Sequence, residues 1–113
     1  MLKSIDFVCV LTACADAQQA RSLSEVLVKE RLAACVNVLP GVESVYRWKG
    51  EVETASEVLL LIKTTRECVQ SLSDRILSLH TYDTPEIVCL PIEQGLDRYL
   101  TWIRESVEPT KRE

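Results

Sequence analysis

The chain has 113 residues, 47% of them apolar, which is enough for a hydrophobic core without disulfide or metal staples. Its 13 basic and 17 acidic residues give a net charge of −4, with no long basic run to follow a phosphate backbone, so nucleic acid is not an expected partner. No apolar stretch approaches the roughly 18 residues of a membrane span, and the N-terminus lacks the pattern of a secretory signal. We therefore expect one domain over residues 1–113 and no membrane partner.

Five cysteines, an odd number with no C-x-x-C pair, indicate free thiols and a reducing, cytoplasmic setting instead of a disulfide framework.

The first third of the chain predicts a strand, a helix and a second strand. Ile5 to Thr12 is β-rich and almost wholly apolar, which is typical of a central strand. A helix follows from Asp16, whose carboxylate can cap the first amides with Gln19 three residues on, and it should fade near Leu32. The next strand, Cys35 to Leu39, meets a bend at Pro40-Gly41.

The stretch from Val42 to Thr65 predicts two long strands that fold back at Lys49-Gly50. Its second arm contains an apolar run, Val58 to Ile62, which a strand can bury only if both faces of the sheet are covered. We expect the hairpin to be the trimerisation element, and charged residues in place of Val58, Leu60 and Ile62 to give unfolded or monomeric protein.

The second half predicts two helices around a short strand. Thr64 and Glu67 have the spacing of a second capping box, and apolar residues then recur at helical spacing as far as His80. A loop leads to a strand over Glu86 to Ile92, and a last helix begins beyond Gly95 and stops at Glu108-Pro109.

The predicted order is β-α-β-β-α-β followed by an extra helix, an α+β class. It is the order of a ferredoxin-like sandwich, in which two helices cover one face of an antiparallel sheet. The other face of these apolar strands would stay wet in a monomer, so we expect copies of the same chain to cover it.

Three segments resemble the CutA divalent-cation-tolerance family: RLAACVNVLPGVESVYRWKGEVE, SEVLLLIKTT and LHTYDTPEIVCLPI. The likeness runs from about Val8 to Ser106. It implies a ferredoxin-like fold in a tight homotrimer, binding of copper and other divalent cations, a part in copper tolerance, and structural kinship to trimeric nitrogen-regulatory signalling proteins. The family is not established as an enzyme family.

The resemblance also implies metal ligands. Family members draw them from a cysteine at the end of the first strand and a histidine near the end of the second helix, positions that fall on Thr12 and His80 here. Because a threonine hydroxyl is a weak ligand for copper, our hypothesis is that Cys14, on the same side by strand period, partly replaces the thiolate. Neighbouring chains or water would complete the site. The alternative is that His80 only ends the helix, where a cation suits the dipole.

A second group of residues could line a cleft with flat apolar walls and a few charges. In the family such residues lie near subunit boundaries, and here they are Tyr46, Trp48, Glu57, Lys63, Tyr82, Thr84 and Glu86. The alternative is that the aromatic pair only packs on a strand face and that Lys63 pairs with Glu57 across an interface.

Catalysis has little support in the sequence. The chain has only three glycines, no G-x-S-x-G, no H-E-x-x-H and no basic neighbour to activate Cys35. Together with these absences, the resemblance favours a trimeric divalent-metal binding protein over an enzyme. The alternative is a trimeric small-molecule sensor or scaffold with a ligand cleft between subunits.

Overall fold

Four strands form one antiparallel sheet in the residues that the computed structural model describes, 2–3 and 6–108. Its order is β2-β3-β1-β4, and the strands are β1 (Phe7–Cys14), β2 (Cys35–Trp48), β3 (Glu51–Thr65) and β4 (Val88–Pro91). A separate short ribbon pairs Leu2–Lys3 with Gln94–Gly95. The predicted mixed α+β class is confirmed, although Ile5, where the first strand was expected to begin, lies outside the described residues.

Three α-helices accompany the sheet: α1 (Ala17–Lys29), α2 (Val69–Leu79) and α3 (Asp97–Ser106). A turn of 3-10 helix, Arg66–Cys68, leads into α2. Within the described part of the chain, no helix has the length and apolar character needed to cross a membrane.

The ends of α1 follow from local hydrogen bonds. The predicted N-cap is confirmed, since Asp16 Oδ1 accepts a 2.8 Å bond from the Gln19 amide. The helix ends at Lys29, earlier than predicted, because Arg31 takes a left-handed φ of 60°. The amides of Arg31 and Leu32 then bond back to Val28 and Leu27, which is a Schellman motif.

The predicted capping box at Thr64 and Glu67 is wrong. Thr64 is a fully buried residue of β3, and its Oγ1 donates a 2.7 Å bond to the carbonyl oxygen of Leu32. Its hydroxyl therefore ties the sheet to the segment after α1. The N-cap of the 3-10 turn is the next residue, Thr65, and its side chain makes no cap hydrogen bond.

One face of the sheet packs against α1 and α2. Strand alternation turns Val58, Leu60 and Ile62 of β3 to this side, where they are buried with Leu27 and Ile76. These three residues therefore belong to the core of the single chain. Charged substitutions there would unfold that core, so they do not separate folding from assembly.

The opposite face carries the alternate residues of the same strands. Leu59 and Leu61 are half-buried there, and Leu39 beside them is 37% exposed. Helix α3 packs Leu100 and Ile103 against Phe7 at one end of the sheet. We call the apolar surface formed by Leu11, Leu39, Leu59 and Leu61 the open face.

A bulge in the hairpin changes which residues of β2 lie on each face of the sheet. The pairing passes from Leu39↔Leu59 to Val42↔Glu57, so β2 has one more residue than β3 between these pairs. Gly41 lies in this gap with φ of 74°, a conformation that suits glycine. Because one extra residue reverses the alternation, even-numbered residues after the bulge share the face of odd-numbered residues before it.

The tip of the hairpin extends beyond the rest of the sheet. Strand β1 ends at Cys14, opposite Val58, so the part of β3 from Glu51 to Glu57 pairs only with β2. The predicted turn at Lys49-Gly50 is confirmed, with φ of 50° and 82° at its two residues. This projecting part of the hairpin forms one wall of a cleft, and the loop after α2 forms the other.

Candidate functional site

A cavity of about 790 Å³ lies between the projecting hairpin and the loop that follows α2. The hairpin, the loop and the end of β1 supply its lining: Ala13, Ser44, Val45, Tyr46, Trp48, Ala55, Glu57, Tyr82, Asp83, Thr84 and Glu86. The structure thus brings together six of the seven residues that were predicted to line a cleft, all except Lys63.

The bulge explains why two aromatic rings reach this cleft. Ser44, Tyr46 and Trp48 share one face of β2, as the strand period predicts, and lie opposite Ala55, Glu53 and Glu51 of β3. In a regular strand that kept every residue of β2, these even-numbered side chains would share the face of Val36 and Val38, which is the helix side. Tyr46 and Trp48 are instead 44% and 59% exposed.

The loop after α2 is fixed to the hairpin by Tyr82. Its hydroxyl donates a 2.9 Å bond to Glu57 Oε2. Burial, followed by this bond and the Glu57 charge, raises the pKa of Tyr82 to about 12. The tyrosine therefore stays protonated and donating at neutral pH, and it closes one side of the cleft.

Lys63 lies toward the other end of β3. Its Nζ donates to Asn37 Oδ1, and its pairing partners in the sheet are Cys9 and Cys35. It lies six positions along the strand from Glu57, a distance of about 20 Å. The two side chains therefore form no ion pair within one chain.

Asp83 lines the cleft as part of the loop that was expected there, although it is not among the seven predicted residues. It stands between Tyr82 and Thr84, so the density of polar residues in that loop was a usable signal. Ala13, Ser44 and Ala55 were missed for another reason. They are small residues that leave space, and no sequence pattern distinguishes them from ordinary strand residues.

His80 uses both of its ring nitrogens. Nε2 lies 2.8 Å from the carbonyl oxygen of Ala13, and Nδ1 accepts a 3.0 Å bond from the Tyr82 amide. Because a carbonyl can only accept and an amide can only donate, the neutral ring carries its proton on Nε2. The imidazole thus holds the start of the loop against the end of β1.

Thr12 and Cys14, the other predicted ligands, are both fully buried. Burial, then the charges of Asp16 and Glu57, raises the pKa of the Cys14 thiol to about 11, so it is a thiol and not the thiolate that metals prefer. Thr12 Oγ1 has no hydrogen-bond partner among the described residues.

The donors of a single chain do not fit a copper site. The Thr12 hydroxyl is a weak ligand, the Cys14 thiol is protonated, and both ring nitrogens of His80 already make hydrogen bonds. None of the three therefore offers a free, strong donor to copper. Within residues 2–3 and 6–108, no three His, Cys, Asp or Glu side chains gather closely enough to hold a metal ion.

Comparison with known proteins identifies the family. Residues 8–106 match the family model described as CutA1 divalent ion tolerance protein. A divalent-cation tolerance protein CutA from Thermus thermophilus is 50% identical over 97 residues, which are 86% of this chain and 94% of that protein. Human Protein CutA is 43% identical over 95 residues, 84% of this chain but only 53% of the human protein, so this chain spans about half of the human one.

Solved structures agree with this relationship. The Thermus thermophilus divalent cation tolerance protein superimposes with a TM-score of 0.88 at 47% identity, covering 90% of this chain and 99% of that one. CutA1 from Oryza sativa gives a TM-score of 0.91 at 36% identity, covering 95% and 98%. Since the family model spans nearly all of the sequence and the fold matches throughout, the chain belongs to the CutA family of divalent-ion tolerance proteins.

Proposed function

We propose that the protein acts in divalent-cation tolerance as a cytoplasmic homotrimer of ferredoxin-like subunits that binds copper or another divalent cation, and that it is not an enzyme. Family membership supports the tolerance role, because the Thermus thermophilus relative is named for it. The single structural observation behind the trimer is the open face, an apolar surface that soluble proteins cover.

The hairpin suits such an assembly. Its tip extends beyond β1, and the strand edges there have unpaired backbone groups that a neighbouring chain can bond. Leu39, Leu59 and Leu61 of the open face would then pack between subunits.

Sedimentation velocity tests the trimer. Leu61→Asp places a charge on the open face, and we expect it to reduce the assembly from three times the chain mass to one. Leu77→Asp is the control, since Leu77 is a 54% exposed residue of α2 and its variant should stay trimeric. A monomeric wild-type protein would exclude the trimer.

Metal binding is proposed to depend on His80. Its Nδ1 carries the lone pair that a metal requires, and the metal would displace the hydrogen bond that the Tyr82 amide now donates to it. Cys14 and Thr12 lie at the neighbouring end of β1. Because these donors do not fit a copper site alone, the remaining ligands would come from neighbouring subunits or water.

Isothermal titration calorimetry with Cu(II) tests this site. We expect His80→Ala to weaken copper binding at least tenfold while the protein stays trimeric in sedimentation. Unchanged affinity in the variant would exclude His80 as a ligand.

A second candidate function rests on the cleft. A cavity of about 790 Å³ has a size typical of small-molecule sites, and this observation favours a trimeric sensor or scaffold related to nitrogen-regulatory signalling trimers. A thermal-shift screen tests it, because a ligand that binds only the folded protein raises the melting temperature. The gain should be lost in Trp48→Ala. A screen of nucleotides, anions and organic cations without any shift would exclude it.

A further inference from the structure

The charged side chains that line the cleft are all acidic. Among its eleven described lining residues none is Lys, Arg or His, and the charged ones are Glu57, Asp83 and Glu86. The sheet adds two more carboxylates on the same face, since Glu51 lies opposite Trp48 and Glu53 opposite Tyr46. The cleft therefore attracts cations and repels anions such as nucleotides.

Three aromatic rings form the walls. Tyr46, Trp48 and Tyr82 all line the cavity, and the negative face of an aromatic ring attracts a cation placed over it. The structure already contains one such contact at the rim, with Lys49 Nζ 5.7 Å from the centroid of the Trp48 ring. The Trp48 ring is thus accessible to an ammonium group.

A bare divalent metal is a poor match for this site. Metal ions need several oxygen, nitrogen or sulfur donors within about 2.0–2.6 Å of one point, and no three acidic, His or Cys side chains gather in this way among the described residues. Separated carboxylates around aromatic walls suit a larger cation instead, one with its charge buried in apolar substituents.

We propose that the cleft binds a small organic ammonium ion, with its charged head against the rings of Tyr46, Trp48 and Tyr82 and facing Glu57. The inference rests on the cleft being a ligand site, the second function proposed above, and does not depend on copper binding at His80.

The first test uses fluorescence. The chain has two tryptophans, so Trp102→Phe leaves Trp48 as the one reporter. We expect tetramethylammonium chloride to change the Trp48 emission saturably at constant ionic strength. tert-Butanol, a neutral molecule of similar size, should have no such effect. Equal responses to the two molecules would overturn the proposal, because they would show an apolar site without preference for charge.

Calorimetry with matched variants locates the site. Trp48→Leu and Glu57→Gln should each weaken tetramethylammonium binding about tenfold. Trp102→Leu and Glu25→Gln remove the same kinds of group outside the cleft, and their affinities should equal that of the wild-type protein. Equal losses in the controls would overturn the assignment to this cleft.

A binding measurement with ATP distinguishes a wrong ligand class from a wrong sensor function. If ATP bound in the cleft and tetramethylammonium did not, the cleft would remain a ligand site and the proposed ligand class would be overturned. If no compound of the thermal-shift screen bound, both would fall.

Discussion

The hydroxyl of Tyr82 donates a 2.9 Å hydrogen bond to Glu57 Oε2, across 25 residues of sequence. This bond joins the loop after α2 to β3 and sets the width of the cleft at that point. Both side chains also face the ligand position proposed above, so the strength of this bond determines how well the cleft is formed before anything binds.

The Tyr82 bond should affect stability in a pH-dependent way. The pKa of Tyr82 is raised to about 12 in the folded protein, against about 10 for an unfolded chain. Its contribution to the free energy of unfolding is thus fully present below pH 10 and is lost as the pH rises toward 12.

Urea unfolding of the wild type and Tyr82→Phe between pH 8 and 12 checks this prediction. We expect the variant to be less stable by about 1 kcal/mol at pH 8, and the difference should shrink above pH 10. Parallel curves at all pH values would show that Tyr82 does not titrate as described.

Replacing Arg31 by glycine and replacing it by alanine should lower the stability of the protein by different amounts. Its φ of 60° strains any residue with a Cβ, while its guanidinium bonds the Glu105 and Ser106 carbonyls at 2.7 and 3.2 Å and Glu108 at 3.1 Å. Both substitutions remove these bonds, but only glycine also relieves the strain.

We therefore expect Arg31→Ala to unfold about 1 kcal/mol more easily than Arg31→Gly. In both variants, hydrogen exchange should be faster at the C-terminal end of α3, whose carbonyls lose their partner. Equal stability of the two variants would contradict the strain argument.

The cysteines should differ sharply in reactivity. Cys89 is exposed, whereas Cys14 and Cys68 are fully buried, and the raised pKa of Cys14 lowers its thiolate fraction further. Brief alkylation with iodoacetamide at pH 8, followed by peptide mass spectrometry, should label Cys89 first. Cys14 and Cys68 should react only in denaturant, and early labelling of Cys14 would show that the end of β1 opens in the native protein.

Thr12 should tolerate the loss of its hydroxyl. Because Oγ1 is buried without a hydrogen-bond partner in the described residues, its desolvation is uncompensated. We expect Thr12→Val, which keeps the shape of the side chain, to raise the free energy of unfolding by about 1–2 kcal/mol. Thr12→Ser is the control, since it keeps the hydroxyl and should give no such gain. A loss of stability in Thr12→Val would indicate that the hydroxyl has a partner, such as a buried water.

The sequence predicted the parts of the fold that local patterns determine. Asp16 with Gln19 and the Lys49-Gly50 turn depend on nearby residues only, and both are present in the structure. Thr64 failed as a cap because tertiary burial directs its hydroxyl to Leu32, a partner 32 residues away that spacing alone does not reveal. Six cleft residues could be predicted because their aromatic and charged side chains are distinctive. Lys63 was expected beside them, but its position along β3 places it about 20 Å from Glu57.

The bulge at Gly41 lets β2 carry one more residue than β3 between Leu39 and Val42, while the pairing on both sides of it stays in place. A chain with one residue fewer at this point would have a regular ladder, and Tyr46 would still lie opposite Glu53. The partners across the hairpin, and not the residue count of β2, fix the face of each side chain in the tip. In related chains, the length of β2 at this point could therefore vary by one residue without loss of the aromatic wall, whereas Tyr46 and Trp48 reach the cleft together only because they are two residues apart.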